Sequence, residues 1–311
     1  MSIIKKEYSY PSSGGMADIY ARVWLPEDKE IKAVIQLIHG KSEHGDRYEH
    51  MAQALCDAGY AFAINDHVGH GRSMKAPEDI GYFGADKNKG GKTFVEDART
   101  FTLMLKKEFD KPLIIMGHSM GSFVVRKYVA EYTSGIEGVI ICGTAGSNPA
   151  LSAGLMLTNI IMKLKGDRHR SMLIEKIAFG TYNKRCQGRT EFDWLTRDDA
   201  VVDKYAADEK CGFVFTVSGF KNMFELLKDI SGDEWYSKVP KNLPILLISG
   251  AEDPVGEYGK GVREVYEKLG ASGHDNLEMK LYKDCRHEIH NEFDKEQVFA
   301  DIIAWSDNLI K

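Results

Sequence analysis

The sequence predicts an α/β protein: a mostly parallel sheet of about eight strands, with helices on both faces and an inserted helical segment. Three observations predict it. Short apolar runs recur along the chain, separated by amphipathic stretches. One run, Leu113-Ile114-Ile115-Met116, enters a Gly117-His118-Ser119-Met120-Gly121 turn, and a helical pattern over 122–131 leaves it. The alternation then stops between about Gly146 and Val239, where helical patterns continue without a convincing buried strand.

Residues 7–10 and 18–25 read as opening strands around a Pro11-Ser12-Ser13-Gly14-Gly15 turn; Tyr20, Arg22 and Trp24 share one face of the second. Residues 33–38 and 61–65 are apolar and bracketed by polar loops, as buried parallel strands are. A helix over 48–58 joins them and ends before Gly59. A polar loop over 66–92 leads to a helix over 94–109 and then to the run at Leu113. Residues 139–142, 245–249 and 277–281 supply three more strands. Val298, Ile302, Trp305 and Leu309 recur at helical spacing in a closing helix. The expected organisation is a core in two parts, 1–145 and 240–311, around a helical cap at 146–239, since an unstructured insertion of that size does not suit a compact domain.

The 311 residues are 43% hydrophobic and 28% charged, enough for a sizeable core and against disorder. The net charge of -5 comes from 41 basic and 46 acidic residues mixed along the chain, so no block points to nucleic acid. Five cysteines without C-x-x-C spacing fit a reducing compartment. The first residues lack the apolar centre of a secretory leader. Thr158, Asn159 and Lys163 interrupt the most apolar stretch, 150–164. The expectation is a cytoplasmic protein.

The Gly-x-Ser-x-Gly turn carries the chemistry. Its strand–turn–helix context lifts Ser119 to the carboxyl end of a strand, and the first helical N–H groups face the space above it. A serine becomes a useful nucleophile when a base takes its proton. Of ten histidines, His287 is the best placed, in the loop after the last strand; His290 is its rival. His39, His44, His67 and His70 lie in loops at strand ends, and His118 reads as structural because side chains adjacent along a strand point to opposite sides. Asp253, directly after the penultimate strand, is the expected partner of His287, with Glu252 as the fallback. An oxyanion needs two fixed N–H donors: Met120 follows the serine, and Lys41 follows the His39-Gly40 turn. Gly90-Gly91-Lys92-Thr93 is a poor phosphate loop, with Asp86 at the required upstream glycine and no strand before it. His287-Glu288-Ile289-His290 is one residue short of H-E-x-x-H, and no metal site is expected.

With these residues in place the chain resembles the α/β-hydrolases of the monoacylglycerol lipase and lysophospholipase group, over nearly its whole length. The marks are His39-Gly40-Lys41-Ser42-Glu43-His44 with Arg47-Tyr48, Asp66-His67-Val68-Gly69-His70-Gly71-Arg72-Ser73, the serine turn, Glu252-Asp253-Pro254 and Arg286-His287-Glu288. The resemblance implies the α/β-hydrolase fold and a triad of Ser119, Asp253 and His287, with Lys41 and Met120 as oxyanion donors. It implies hydrolysis of monoacylglycerol or lysophospholipid esters without a cofactor. It also puts Glu43 and Arg47 either near the polar end of the substrate site or in an ion pair with loop neighbours. Lys41 departs from the small residue often found in the group; its side chain either favours an anionic substrate or extends into solvent. Apolar residues such as Leu155 and Ile160 either wall an acyl channel and touch a lipid surface or pack the cap. Short-chain carboxylesterase, thioesterase and aminopeptidase chemistry use the same machinery, and a ligand sensor with slow turnover is a further alternative.

Overall fold

The computed structural model describes residues 2–84, 91–132 and 134–311. Asp86 and Gly90 of the glycine-containing stretch above lie outside them.

Eight strands form one sheet: β1 (Ile3–Pro11), β2 (Asp18–Pro26), β3 (Val34–Ile38), β4 (Ala61–Asn65), β5 (Leu113–His118), β6 (Gly138–Cys142), β7 (Ile245–Gly250) and β8 (Leu277–Tyr282). Their order across the sheet is β1-β2-β4-β3-β5-β6-β7-β8. β1 and β2 pair antiparallel, as do β2 and β4, and every later pair is parallel. The chain is an α/β protein of the expected architecture. β1 is longer than expected because it is an edge strand, exposed along most of its length, and its Ile-Ile-Lys-Lys-Glu sequence carries no buried alternation.

The central strands are apolar on both faces because both are covered. Leu113 and Ile115 of β5 point into one core, Ile114 and Met116 into the other, and β6 alternates in the same way. The first core is closed by helices α2 (Lys92–Phe109), α3 (Met120–Glu131) and α9 (Lys260–Ala271). The second is closed by α1 (Glu49–Asp57) and α10 (Lys295–Leu309), the latter through Val298, Ile302 and Trp305. Helix α9 is not among the elements expected above, although its Val262, Val265 and Leu269 are spaced as one helical face.

Between β6 and β7 there is no named strand among the described residues. Five helices fill the interval: α4 (Leu151–Lys165), α5 (Met172–Phe179), α6 (Asp199–Ala207), α7 (Val217–Asp229) and α8 (Asp233–Lys238). Arg126 of α3, fully buried, anchors this part to the sheet layer: its guanidinium donates to the carbonyl oxygens of Ala145 (2.8 Å) and Ile230 (2.6 Å) and faces the Trp235 ring. No helix among the described residues is long and apolar enough to cross a membrane.

The turn between β5 and α3 is the tightest join in the fold. A Cβ at residue 121 would meet the carbonyl oxygens of Ile38 and His39, and one at residue 117 would meet the backbone of Gly121. Glycine is needed at both because α3 lies directly against β3 and β5. Gly121→Ala is therefore expected to cost about 1–3 kcal/mol or more, since rigid backbone must move. Gly270→Ala, on the exposed side of α9 with nothing within 4 Å of its added Cβ, should instead be neutral or stabilising by up to about 1 kcal/mol. Urea midpoints of the two variants measure the difference.

Candidate active site

The parallel strands deliver their following loops to one edge of the sheet, where functional side chains of such sheets gather. Ser119 stands after β5 with φ 55° and ψ −122°, a positive φ in a residue with a side chain. A conformation of this kind stores about 1–3 kcal/mol and persists only where the surroundings impose it. Its own N–H is taken up by the Cys142 carbonyl (3.0 Å), and its carbonyl accepts from the Ser122 N–H and hydroxyl (2.8 and 2.6 Å). The turn is thus held from both sides while the side chain stays partly exposed.

Asp253 follows β7 and is fully buried. Its Oδ1 accepts from the Val255 N–H (2.8 Å) and lies 2.9 Å from His287 Nδ1; its Oδ2 accepts from the Ser249 hydroxyl (3.1 Å). Burial opposes the carboxylate, but the His287 ring, the Val255 N–H and the Ser249 hydroxyl together hold its pKa below the ordinary value. Burial likewise works against a charged His287, and Asp253 outweighs it, so the imidazole titrates above its usual range. Nε2 of His287 is buried and without a hydrogen-bond partner among the described residues. His287 follows β8, and the Trp194 ring lies 5.0 Å from it, centroid to centroid. Glu252, the fallback for Asp253, instead pairs with Arg185 at the surface (3.3 Å).

Ser119 and His287 line one cavity of about 700 Å³, together with Gly40, Lys41 and Met120. That volume suits a small organic ligand. Among the described residues neither the Lys41 nor the Met120 N–H donates to a backbone carbonyl, so both are available at the Ser119 end. Away from the serine the cavity is walled by apolar residues, among them Leu151, Leu157, Ile174, Phe179, Met223 and Phe224.

Leu155 and Ile160 are not part of that wall. Helix α4 turns Leu151, Gly154 and Leu157 toward the cavity; Leu155 and Ile160 face outward, in a shallow groove with Met156 and Lys163. A helix with apolar residues on both sides gives no sign, in sequence alone, of which side is the inner one. The Lys41 side chain does not extend into solvent either. Its ammonium pairs with Glu175 of α5 (3.1 Å) and lies 4.7 and 4.9 Å from the centroids of the Phe179 and Phe215 rings. Burial lowers its pKa, with Glu175 pulling the other way.

Glu43 and Arg47 form a buried charge cluster beneath the cavity, with Glu43 also lining it. Arg47 donates to Glu43 (2.5 Å) and, in bidentate fashion, to both oxygens of Glu288 (2.7 Å each). Glu43 also accepts from the Gly40 N–H (2.6 Å) and the Tyr48 hydroxyl (2.9 Å). Burial raises both carboxyl groups, and the Arg47 charge, joined by the His118 and His39 rings at Glu43 and by His118 at Glu288, more than reverses it. Glu43 and Arg47 thus stand in ion pairs while Glu43 also faces the cavity, and Glu288 is the partner that sequence reasoning assigned no role. The cluster ties the loop after β3 to the residue next to His287.

His39, His67, His70, His118 and His290 pack around the same edge of the sheet. His118 Nδ1 meets the Tyr48 hydroxyl (3.1 Å) and Nε2 the His287 carbonyl (3.3 Å). His290 is buried and stacked on Tyr48, off the cavity lining. His39 and His67 exchange hydrogen bonds between ring and backbone (3.0 Å each), and burial lowers both pKa values and that of His70. Sequence reasoning missed Ser249, a hydroxyl near the end of the buried strand β7, and Trp194, whose contact with His287 lies far along the chain and leaves no periodicity.

A parallel sheet crossed by such a serine turn, with an acid and a histidine on the following strands, defines the α/β-hydrolase class. The chain belongs to the family whose model is described as serine aminopeptidase, S33, which matches residues 29–294. It is similar to the monoacylglycerol lipase of Mycolicibacterium smegmatis, 27% identical over 98% of this chain and 98% of that protein. It is similar to the human monoglyceride lipase, 26% identical over 92% of this chain and 86% of that one. Among solved structures, a thermostable carboxyl esterase from Bacillus coagulans, crystallised with glycerol, superposes with a TM-score of 0.91 at 32% identity, covering 100% of both chains.

Arg47→Met should cost about 3–5 kcal/mol, because two buried carboxylates lose their countercharge. The pH dependence follows in sign. In the native protein both carboxyl groups titrate below their unfolded value of about 4.3, so their contribution is present above that pH and is lost as pH falls through the lower folded values. In the variant the neutral donors and the His118 ring remain but the guanidinium is gone, so both folded values rise and acid unfolding should begin at higher pH. Circular dichroism against pH reads the shift.

Proposed function

We propose that this protein hydrolyses carboxylic esters of lipid-like substrates, monoacylglycerol or lysophospholipid, through an acyl-enzyme on Ser119. The observation that carries the reading is the Asp253–His287 pair at 2.9 Å, set on the same cavity as a serine in a strained turn. The similarity to monoglyceride lipases supports a lipid ester hydrolase.

In this mechanism Asp253 fixes the His287 ring with the proton on Nδ1, leaving Nε2 to accept. His287 takes the Ser119 proton as Oγ attacks the ester carbonyl. The Lys41 and Met120 N–H groups hold the developing oxyanion. His287 then protonates the leaving alcohol, and a water activated by the same ring releases the acid. The triad residues and both donors are all first reached from the sequence. The apolar wall opposite takes the acyl chain, and the segment 146–239 serves as the cap that supplies it.

The cap also accounts for contact with a lipid surface. Met172, Lys176 and Ile177 of α5 line the cavity and are exposed to solvent. Beside them α4 exposes Met156, Ile160 and Leu164, and Lys163 and Lys165 flank that face. Apolar residues edged by lysines at a cavity mouth suit a transient hold on an anionic lipid interface.

The test is hydrolysis of p-nitrophenyl esters from short to long chains, with 1-monoacylglycerol and lysophosphatidylcholine. Turnover should be greatest on medium or long chains, and Ser119→Ala should abolish both turnover and fluorophosphonate labelling. Labelling without turnover would make the protein a sensor, and activity confined to short chains a general carboxylesterase. Leu157→Trp should shift the preferred acyl chain to shorter lengths; Met172→Ser with Ile177→Ser should lower the rate on vesicles and spare that on dissolved esters. Finally, kcat/KM should rise with pH through an apparent pKa above the ordinary histidine value of about 6.5. Asp253→Asn should lower the rate about 10⁴-fold and move that limb to lower pH, because burial then acts on His287 without its counterion. An unmoved limb would remove His287 from the role of base.

A further inference from the structure

We propose that His44, Asp208 and Cys211 form a binding site for a soft divalent cation, of which Zn²⁺ is the best match. The site is separate from the Ser119 cavity chemistry and does not depend on the function proposed above. It joins two distant parts of the chain: His44 in the loop after β3, and Asp208 and Cys211 in the turn between α6 and α7. One donor atom from each lies within 4.8 Å of the other two. A tetrahedral Zn²⁺ with bonds of about 2.0–2.3 Å needs donors roughly 3.3–3.7 Å apart, so small side-chain rotations complete it. An imidazole nitrogen, a thiolate and a carboxylate, with a water in the fourth position, form a zinc donor set rather than a calcium or magnesium one.

Each donor is held for the task. His44 Nε2 lies 2.8 Å from Asp208 Oδ2, and its Nδ1 lies 3.8 Å from Asp46 Oδ2. A carboxylate on the far side of a histidine is the usual companion of a metal-bound ring. Asp46 is itself fixed by Arg22 (2.7 Å). Asp208 Oδ1 accepts from the Lys210 N–H (2.8 Å), which leaves Oδ2 for the metal. Cys211 is a free, buried thiol. The Asp208 side chain is about one-third exposed (36%), which provides an entry path.

Binding exchanges one proton for the metal: the Cys211 S–H bond breaks, a sulfur–zinc bond forms, and the proton passes to solvent. His44 binds through Nε2 as the neutral ring: the Nε2 proton now shared with Asp208 is given up, and Nδ1, on the Asp46 side, carries the ring proton instead. Because the loop after β3 also carries Lys41, the ion would pin an oxyanion donor to the helical segment. The two are already linked here by the Tyr205 hydroxyl and the Gly212 N–H, which both donate to the Ser42 carbonyl (3.0 Å each).

The test is titration of the metal-stripped full chain with ZnCl₂ by calorimetry, and with CoCl₂ by absorption. The expected result is one ion per chain with micromolar affinity, a raised Tm and a thiolate-to-cobalt charge-transfer band. Cys211→Ser should abolish the band, and Cys211→Ser and His44→Gln should each weaken Zn²⁺ binding at least tenfold. A readout on the unmutated chain covers the case in which a variant fails to fold: Zn²⁺ should slow alkylation of Cys211 by iodoacetamide, with Cys186 as the internal reference. Absence of binding at millimolar Zn²⁺, binding unaltered by Cys211→Ser, or unprotected Cys211 at saturating Zn²⁺ would each overturn the proposal.

Discussion

The backbone of Ser119 sits at φ 55°, and this single conformation sets the positions of its neighbours. To hold it, β5 must pass into α3 with no intervening loop, and α3 must press against the end of β3. The carbonyl oxygens of Ile38 and His39 then occupy the space a side chain at residue 121 would need. The same contact fixes the start of the next loop, Gly40 and Lys41. A Cβ on Gly40 would stand 3.0 Å from the Ser119 Cβ. Serine and the loop after β3 are therefore one packing unit, and the strain at residue 119 is carried by the sheet rather than by local hydrogen bonds alone.

Around that unit the fold tolerates a costly arrangement of charge. Glu43, Arg47 and Glu288 are almost wholly buried, and removing three charged groups from water is not in itself a source of stability. What the cluster provides is geometry. Arg47 presents a planar fork that fits both oxygens of Glu288, so it fixes the residue beside His287, while its other contact fixes the loop that holds Gly40. Two loops more than 200 residues apart in sequence (|i−j| = 241) are set in register by one guanidinium. A hydrophobic replacement could fill the volume, but it would not define the direction of either loop.

How much of this was legible depends on whether a residue's neighbours are local. The central strands were readable because burial on both faces leaves continuous apolar runs, and the serine turn because its glycines answer a steric need within five residues. Asp253 and His287 were readable from their positions after β7 and β8, since a parallel sheet brings the carboxyl ends of its strands to one edge. Edge strand β1 was read too short because no periodic burial marks it. Glu288 was quoted among the marks of the resemblance without a role, because its partner Arg47 lies at the other end of the chain. Glu175 was out of reach for the same reason, since its partner Lys41 lies 134 residues away, whereas Ser249, four residues from Asp253, was passed over as part of an apolar strand.

Helix α4 marks the limit of sequence reasoning most sharply. Leu151, Leu155, Leu157, Ile160 and Ile161 are chemically alike, yet only some of them line the cavity. Amphipathicity identifies a buried face when the other face is polar; here a groove lies on one side and the cavity on the other, and both select apolar residues. The pairing of Lys41 with Glu175 breaks the symmetry physically. The cation leaves the loop after β3, reaches α5 and lies against Phe179, so the end of α5 is tied to that loop. With α5 held there, α4, which packs against both α5 and α7, can present only its Leu151–Leu157 side inward. Which side of α4 faces the cavity thus depends on a buried ion pair between the loop after β3 and the inserted helices, a contact that no property of α4 itself encodes.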